Sequence, residues 1–501
     1  MQMASSVQPA KKSYWFDKGY QDLRDTISRA WLLNRASASD IQLRIQLLSD
    51  GDGSTIKKLF FYMAIVAVYF FGSIITAITA VIHITVVILL MICVYAGFTA
   101  VWTADRIYLM KNKIFTACPA DKEKSLIPAY KCSLCDVVHT ELVPGVYGIL
   151  RRICAGDGVV QCGNKLPTNF MNGRSQLSAV CQHCGTSLSD KETRPICIPV
   201  VGGRSVGKTA FITAFSYDFI VKVAPSRGLE IEDYNAEKKL MYQEIQRAYQ
   251  TSEFNLTLAT NTIGTISGIS SVPFSFFVKN ANLTPDRLIH IYDIAGEFFT
   301  DKEEKEVQKQ YEYCHGMILI VDPLAIPSIY DKYEAQLKDI DRDRRGDADI
   351  TSIVDVFMNK LREVTGLSDR KMHKIPFAVV LTKVDAIKEI ESLLSVESAE
   401  RLYQTDTEKF KNIMDAHDYQ CRQFFVDNDM RHFVTTINLR FKNNRYFSCS
   451  PIGHEAQNGP FEPKGVMLVM EWILNNADKR LGEIVSDSRF TKKPVGLSEV
   501  R

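Results

Sequence analysis

A glycine-rich segment, GGRSVGKT at residues 202–209, carries the residue types that bind phosphate groups. It follows the apolar stretch 196–201 and precedes a helical apolar pattern, the strand–loop–helix setting that a phosphate-binding loop requires. In such a loop the backbone N–H groups curl around the β-phosphate, and the helix N-terminus adds partial positive charge. We expect Lys208 to span the β- and γ-phosphates and the Thr209 hydroxyl to bind Mg²⁺. The predicted contacts are Gly202, Gly203, Arg204, Ser205, Val206, Gly207, Lys208, Thr209 and Ala210.

A carboxylate and a glycine follow a second apolar stretch, in RLIHIYDIAGE at residues 287–297. Asp293, at the end of the predicted strand, can hold the Mg²⁺ shell through water. Gly296 can offer its backbone N–H to the γ-phosphate, so its loop would respond to whether that phosphate is present.

A base-recognition motif follows the apolar stretch 375–381, in the order Thr382, Lys383, Val384, Asp385. A carboxylate accepts hydrogen bonds from both N1–H and the exocyclic amine of guanine, whereas adenine offers an acceptor at N1 and lacks that amine. The aliphatic stem of Lys383 can lie over the base. Asp385 therefore predicts GTP and GDP as ligands in preference to ATP.

The loop that closes the base pocket has two frames in YFSCSP, residues 446–451. The group that contacts guanine O6 is a backbone N–H, which proline lacks. This favours Ser448 and Cys449 over Ser450 and Pro451.

In chain order, GKT, DIAGE and TKVD resemble the GTPase domains of the translation-factor-like class, over residues 195–475. With the preceding cysteines and long apolar run, the chain resembles the bacterial double-GTPase-type and related TRAFAC-class proteins proposed for conflict systems. The resemblance implies an α/β, P-loop GTPase-like three-layer fold with a mostly parallel sheet. It also implies Mg²⁺-dependent GTP hydrolysis and a nucleotide-dependent switch.

Two positions depart from the family pattern. Small GTPases orient the attacking water with a glutamine where this chain has Glu297, and a second negative charge beside the γ-phosphate predicts slow hydrolysis. The predicted catalytic residues are Lys208, Asp293, Gly296 and Glu297. The switch threonine has four candidates, Thr257, Thr260, Thr262 and Thr265. A P-loop ATPase and a nucleotide-binding scaffold without turnover stay open as alternatives.

Two Cys-x-x-Cys pairs precede the phosphate loop. Four thiolates complete a tetrahedral Zn²⁺ shell and leave no open position for water, so such a site is structural. The first ligand set is Cys132, Cys135, Cys181 and Cys184. An alternative set closes the site with Cys154 and Cys162 and leaves the last pair for a second ion.

Residues 59–104 contain no Asp, Glu, Lys or Arg. A single membrane span needs about 20 apolar residues, so this run predicts two helices joined by a turn between Ser73 and His83. Positive side chains flank both ends, which places both ends in the cytoplasm. The flanking residues are Lys57, Lys58, Arg106, Lys111 and Lys113.

The charge balance restricts the partners. A net charge of +2 over 501 residues gives no bulk field for nucleic acid. A lipid bilayer and a protein effector are the expected partners, and homodimerisation stays open. The predicted segments are a cytosolic N-terminal segment 1–58, a transmembrane hairpin 59–104, a cysteine-rich zinc-ribbon-like module 105–192, a P-loop GTPase domain 193–480 and a flexible tail 481–501.

Overall fold

The computed structural model describes residues 9–49, 55–118, 124–157, 161–188, 192–203, 205–234, 236–251, 274–293, 314–334, 373–454, 460–487 and 490. Two units emerge, one made of Met1–Asn112 with Ile127–Ser187 and the other of Lys113–Leu126 with Leu188–Arg501.

The strands and helices of the described residues are named in chain order. The strands are β1 Thr116–Ala117, β2 Lys124–Ser125, β3 Ala129–Lys131, β4 Val138–His139, β5 Arg151–Ile153, β6 Lys165–Pro167, β7 Ala179–Val180, β8 Ser187–Leu188, β9 Arg194–Val201, β10 Glu230–Asp233, β11 Phe274–Lys279, β12 Arg287–Asp293, β13 Met317–Val321, β14 Phe377–Leu381 and β15 Asn444–Ser448. The helices are α1 Lys18–Ser49, α2 Thr55–Lys111, α3 Lys208–Tyr217, α4 Ala236–Thr251, α5 Pro327–Tyr333, α6 Lys388–Leu394, α7 Val396–Thr405, α8 Ile413–Asp427, α9 Arg431–Arg440, α10 Val466–Ala477 and α11 Lys479–Val485.

The second unit contains a seven-stranded sheet in the order β10-β11-β12-β9-β13-β14-β15. The five strands from β12 to β15 run parallel, and β10 and β11 add an antiparallel edge. Strands β13 and β14 are buried along their whole length, as expected for parallel strands covered on both faces. The predicted α/β class with a mostly parallel sheet is confirmed.

Apolar helix residues cover both faces of this sheet. Alternate residues of β14 belong to different apolar clusters: Val379 packs in one and Val380 in the other. The Val379 cluster includes Phe425 of α8, and the Val380 cluster includes Phe215 of α3 and Ile473 of α10. Because successive side chains of a strand point to opposite faces, the two clusters lie on opposite sides of the sheet.

The direction in which strands are added to the sheet reverses at β9. After β9 the chain builds the strands on one side of it, through β12, and then crosses to β13 on the other side. In open α/β sheets, ligands bind outside the carboxyl ends of the strands at such a reversal. The phosphate loop follows β9, Asp293 is the last residue of β12, and Thr382 follows β14, so all three lie at carboxyl ends of strands on the same edge of the sheet.

In the first unit, α2 is one continuous helix of 57 residues, long and apolar enough to cross a membrane. The predicted turn between Ser73 and His83 is therefore not formed, and the two-helix hairpin is corrected to one helix. Residues 55–111 contain no proline to stop the helix. Gly72 ends a π-helical turn, and its carbonyl accepts a hydrogen bond from the Asn34 amide of α1 at 3.1 Å.

A buried ion pair joins the end of α2 to the cysteine-rich part of the first unit. The Arg174 guanidinium donates to the Asp105 carboxylate at 3.0 Å, and the two side chains are 0% and 3% exposed. Arg174 also donates to the backbone carbonyls of Leu142 and Thr168. These bonds satisfy a charge pair that would otherwise be costly to bury. Neither residue belongs to a motif that indicates a role.

Candidate nucleotide and metal sites

The phosphate loop connects β9 to α3, as the sequence predicts. Gly207 has φ 94° immediately before the first residue of α3, a conformation that glycine adopts without strain. A Cβ at Gly202 would lie 2.6 Å from the Ile320 carbonyl oxygen, so the loop can approach β13 only with glycine there. The Lys208 ammonium donates to the carbonyls of Gly203, at 2.6 Å, and Gly202, at 3.1 Å. It is thus held inside the curve of the loop.

Two predicted magnesium ligands meet at the start of α3. The Thr209 hydroxyl donates to the Asp293 carboxylate with an oxygen–oxygen distance of 2.6 Å. The first residue follows the phosphate loop and the second ends the neighbouring strand β12. Hydroxyl and carboxylate oxygens are hard donors, which suits Mg²⁺ with water completing its shell. The fold therefore brings together the donor set that the sequence predicts.

The base-recognition motif is bonded directly to the phosphate loop. The Thr382 hydroxyl donates to the Val206 carbonyl at 2.6 Å. The Lys383 ammonium donates to the Ser205 carbonyl at 2.6 Å and to the Asp322 carboxylate at 2.7 Å. These bonds fix the two predicted parts of the nucleotide site against each other.

Asp322 contacts the base-recognition motif and is not among the residues predicted from the sequence. It follows β13 at the edge of the sheet that carries the phosphate loop, and its side chain is fully buried. One carboxylate oxygen accepts from the Leu324 backbone N–H at 2.9 Å and the other pairs with Lys383. The available signal was an aspartate ending a buried apolar stretch between the two motifs.

Asp385 lies in the short 3₁₀ turn Val384–Ala386 that follows Lys383. Burial raises the pKa of its carboxyl group, and a hydrogen bond from the Ser450 side chain acts in the opposite direction. A partly desolvated carboxylate interacts strongly with hydrogen-bond donors. This environment suits a carboxylate that discriminates between bases by accepting hydrogen bonds from them.

The predicted closing residues, Ser448 and Cys449, are both buried and bonded within the protein. The Ser448 hydroxyl donates to the Leu394 carbonyl at 2.6 Å, and the Cys449 backbone N–H donates to the Leu381 carbonyl at 2.8 Å. Ser450, from the alternative frame, is the serine whose side chain bonds to Asp385. A contact of Ser448 or Cys449 with guanine stays a prediction.

Several predicted residues lie outside the described part of the chain. They are Arg204 of the phosphate loop, Gly296, Glu297 and the candidate switch threonines Thr257, Thr260, Thr262 and Thr265.

Four cysteine sulfurs of the first unit gather within 4.8 Å of one another: those of Cys132, Cys135, Cys154 and Cys162. The distance is 3.7 Å between the sulfurs of Cys132 and Cys162, and 3.6 Å between those of Cys135 and Cys154. Zn–S bonds of about 2.3 Å in a tetrahedron put sulfurs about 3.8 Å apart, so the four residues fit a zinc ion. The structure forms the alternative ligand set, and Cys181 and Cys184 lie outside it.

Hydrogen-bond donors surround these sulfurs. The Asn164 amide donates to the Cys132 sulfur at 3.4 Å, and the Gly156 backbone N–H donates to the Cys154 sulfur at 3.4 Å. Burial opposes ionisation of Cys132, but the Asn164 amide and two backbone N–H groups lower its pKa to about 6. Burial raises the pKa of Cys154 to about 12. Donors of this kind orient and stabilise metal-bound thiolates.

Two crystal structures of the S. cerevisiae Ski7 GTPase-like domain resemble the chain weakly. The match to the structure bound to GTP has 11% sequence identity and a TM-score of 0.25, and it covers 51% of this chain and 43% of the Ski7 chain. The match to the structure bound to GDP and inorganic phosphate has 12% sequence identity and a TM-score of 0.26, and it covers 56% of this chain and 50% of the Ski7 chain. The chain spans about half the length of these structures. No family model and no curated protein sequence matches the chain.

Proposed function

We propose that the chain is a membrane-anchored GTP-binding protein that hydrolyses GTP with Mg²⁺ and acts as a nucleotide-dependent switch. The observation that carries the proposal is the bonding between the two predicted motifs at one edge of the sheet. Lys383 and Thr382 of the base motif donate to Ser205 and Val206 of the phosphate loop. One ligand with a guanine base and a phosphate chain would engage both motifs.

The central residues of the predicted site have proposed roles. Lys208 would turn from the loop carbonyls to the β- and γ-phosphates, where its charge offsets that of the phosphates. Thr209 and Asp293 would hold Mg²⁺, which neutralises charge on the phosphate oxygens when bound. Asp385 would accept from the guanine edge while Lys383 covers the base. Gly296 and Glu297 keep their predicted roles as γ-phosphate sensor and water-orienting group, and Glu297 makes the hydrolysis slow.

Turnover is tested by phosphate release from GTP with the full-length chain in detergent micelles. We expect release that requires Mg²⁺, is suppressed by EDTA and runs on GTP in preference to ATP. Binding of GTP without measurable release, over many hours and at high protein concentration, would identify a nucleotide-binding scaffold instead of an enzyme.

The charge of Asp322 is expected to support nucleotide binding by holding Lys383 in place. Asp322→Asn removes the buried negative partner of the Lys383 ammonium, and hydrogen bonds to charged groups contribute about 1.5–3 kcal/mol. We expect the Kd for a fluorescent GTP analogue to rise about 10-fold and Tm to fall by a few degrees, because the buried pair is already formed in the chain without nucleotide. Asp331→Asn, at an exposed aspartate of α5, is the matched control. Equal Kd values for the two variants would show that Asp322 does not position Lys383.

The long helix α2 is the proposed membrane anchor. Most of its apolar side chains are exposed in the chain itself, including Phe60, Phe70, Ile75, Ile82 and Leu89. The bilayer hydrocarbon core is about 30 Å thick and a 57-residue helix is about 85 Å long, so the helix extends well beyond it.

We place the GTPase unit on the cytosolic side. Labelling of an exposed cysteine introduced at Lys442 by a membrane-impermeant reagent should require lysis of the cells, and labelling of intact cells would reverse the assignment.

The cysteine cluster is proposed to hold one structural Zn²⁺ through Cys132, Cys135, Cys154 and Cys162. Cys154→Ser is expected to remove this ion, because the weaker oxygen donor breaks a four-sulfur shell, and to lower Tm by several degrees. Zinc analysis and thermal unfolding of the full-length chain measure both effects. Cys421→Ser, at a buried cysteine of α8 outside the cluster, is the control for general loss of packing. If Cys154→Ser and Cys421→Ser retain the same amount of zinc, the assigned ligand set is wrong.

A further inference from the structure

The second Cys-x-x-Cys loop, Cys181–Gly185, is outside the four-sulfur cluster but repeats the backbone of the first. In the first loop the Cys132 N–H donates to the Val137 carbonyl at 2.9 Å, and the Asp136 N–H donates to the Cys132 carbonyl at 3.0 Å. In the second loop the Cys181 N–H donates to the Thr186 carbonyl at 2.9 Å. The Gly185 N–H donates to the Cys181 carbonyl at 3.1 Å. Both bonds thus join equivalent positions.

The two loops also agree in their dihedral angles and in their contacts to sulfur. The fifth residue of each loop has a positive φ, 55° at Asp136 and 75° at Gly185. The N–H two residues after the first cysteine bonds to its sulfur in both cases: from Leu134 to Cys132, and from His183 to Cys181 at 3.4 Å. An N–H aimed at a cysteine sulfur stabilises the thiolate that a metal requires.

Neighbouring strands carry the two loops. The first loop joins β3 to β4, the second joins β7 to β8, and β3 pairs with β7 in a sheet of the order β4-β3-β7-β8. The same hairpin with a Cys-x-x-Cys loop is therefore present twice in one small sheet. Neither cysteine of the second loop is in a disulfide, and the Cys184 sulfur donates to the Thr186 hydroxyl at 3.0 Å.

We propose that this second loop binds a second divalent metal ion of the zinc class through the sulfurs of Cys181 and Cys184. Two thiolates from one loop supply half of a tetrahedral shell, and the remaining donors come from outside the loop. Cys181 is buried and Cys184 is exposed, so the ion would lie at the surface end of the loop. The first centre would then be a closed four-sulfur site, and the second would be the more accessible of the two.

Metal content of the full-length chain tests the proposal. The chain is purified in detergent under reducing conditions without chelator, and zinc is measured per mole of protein. We expect about two ions in the wild type and one in a Cys181→Ser/Cys184→Ser variant. The Cys154→Ser/Cys162→Ser variant should also lose one ion, because it removes only the first centre. Reconstitution with Co²⁺ should show thiolate charge-transfer absorption from both centres in the wild type and a reduced intensity in each variant.

A conservative variant separates loss of a ligand from loss of folding. Cys184→His replaces the sulfur with a ring nitrogen that also binds zinc, so this variant should retain the second ion. Cys184→Ser should lose it. One ion in the wild type, unchanged by Cys181→Ser/Cys184→Ser, would overturn the proposal. GTP binding, measured on the same samples, is a separate readout: two ions without GTP binding would refute the proposed function and leave the second metal site standing.

Discussion

Replacing Lys208 with alanine is expected to lower GTP turnover by about 10²–10³-fold, the effect of removing one preorganised electrostatic donor from a transition state. Its ammonium group is buried and lies within 3.1 Å of two loop carbonyls, from which it would turn to the phosphates of the nucleotide. Positive charge in such a site acts through a lower dielectric than in water. Single-turnover phosphate release at saturating Mg²⁺ measures the effect.

The control for this variant is Lys442→Ala. Lys442 is exposed and precedes β15, so it lies at the amino end of the strand, away from the edge that carries the phosphate loop. Its replacement removes the same charge from the same unit and should leave turnover unchanged. Wild-type turnover in Lys208→Ala would mean that the loop does not bind the reacting phosphates.

Replacing Asp385 with asparagine is expected to weaken GTP binding by about 10²-fold or more. Two hydrogen bonds from guanine to a carboxylate are lost or weakened, and bonds to a charged group contribute about 1.5–3 kcal/mol each. The same variant should bind xanthosine triphosphate better than the wild type does. Xanthine has a carbonyl in place of the guanine amine, so it accepts from the asparagine N–H and avoids the negative carboxylate.

Both nucleotides should be titrated against Asp385→Asn and against Asp429→Asn as the matched control. Asp429 is exposed and has φ 65°, a conformation that asparagine also tolerates. The reversal of preference is the informative result, since general destabilisation would weaken both nucleotides together. If the affinities for GTP and xanthosine triphosphate fall by the same factor and Tm falls as well, Asp385 does not contact the base.

The strand–loop–helix arrangement around the predicted phosphate loop could be read from the sequence because its pattern is local. Strand, loop and helix follow one another at residues 196–215, and the residue types themselves specify the backbone. The fold then brings Thr209 to Asp293, as expected for residues that end adjacent parallel strands. Asp322 was missed because its role depends on a partner 61 residues away, and no local pattern reports that Lys383 reaches it.

The course of the long apolar helix and the grouping of the cysteines were harder to predict because they depend on choices between equivalent patterns. An uncharged run indicates the length of an apolar segment but not the position of a turn within it. In the structure α2 continues through Gly72, where a π-helical turn and the Asn34 side chain satisfy the backbone hydrogen bonds. Two Cys-x-x-Cys pairs allow more than one grouping, and spacing alone does not decide it. Folding of β5 and β6 as a separate hairpin brings Cys154 and Cys162 to the first pair. The ion pair of Arg174 with Asp105 spans 69 residues and left no local signal.

Competition between GTP and ATP for one bound fluorescent GTP analogue tests the central claim most directly. The full-length chain in detergent micelles, with Mg²⁺ and no turnover during the measurement, is titrated with each unlabelled nucleotide. GTP is predicted to displace the analogue at a concentration at least 100-fold below that of ATP. This factor in affinity is about what the free energy of two charge-assisted hydrogen bonds to guanine provides. Displacement by ATP at the same concentration as GTP would contradict the account, because Asp385 would then recognise no base and the chain would belong with the P-loop ATPases.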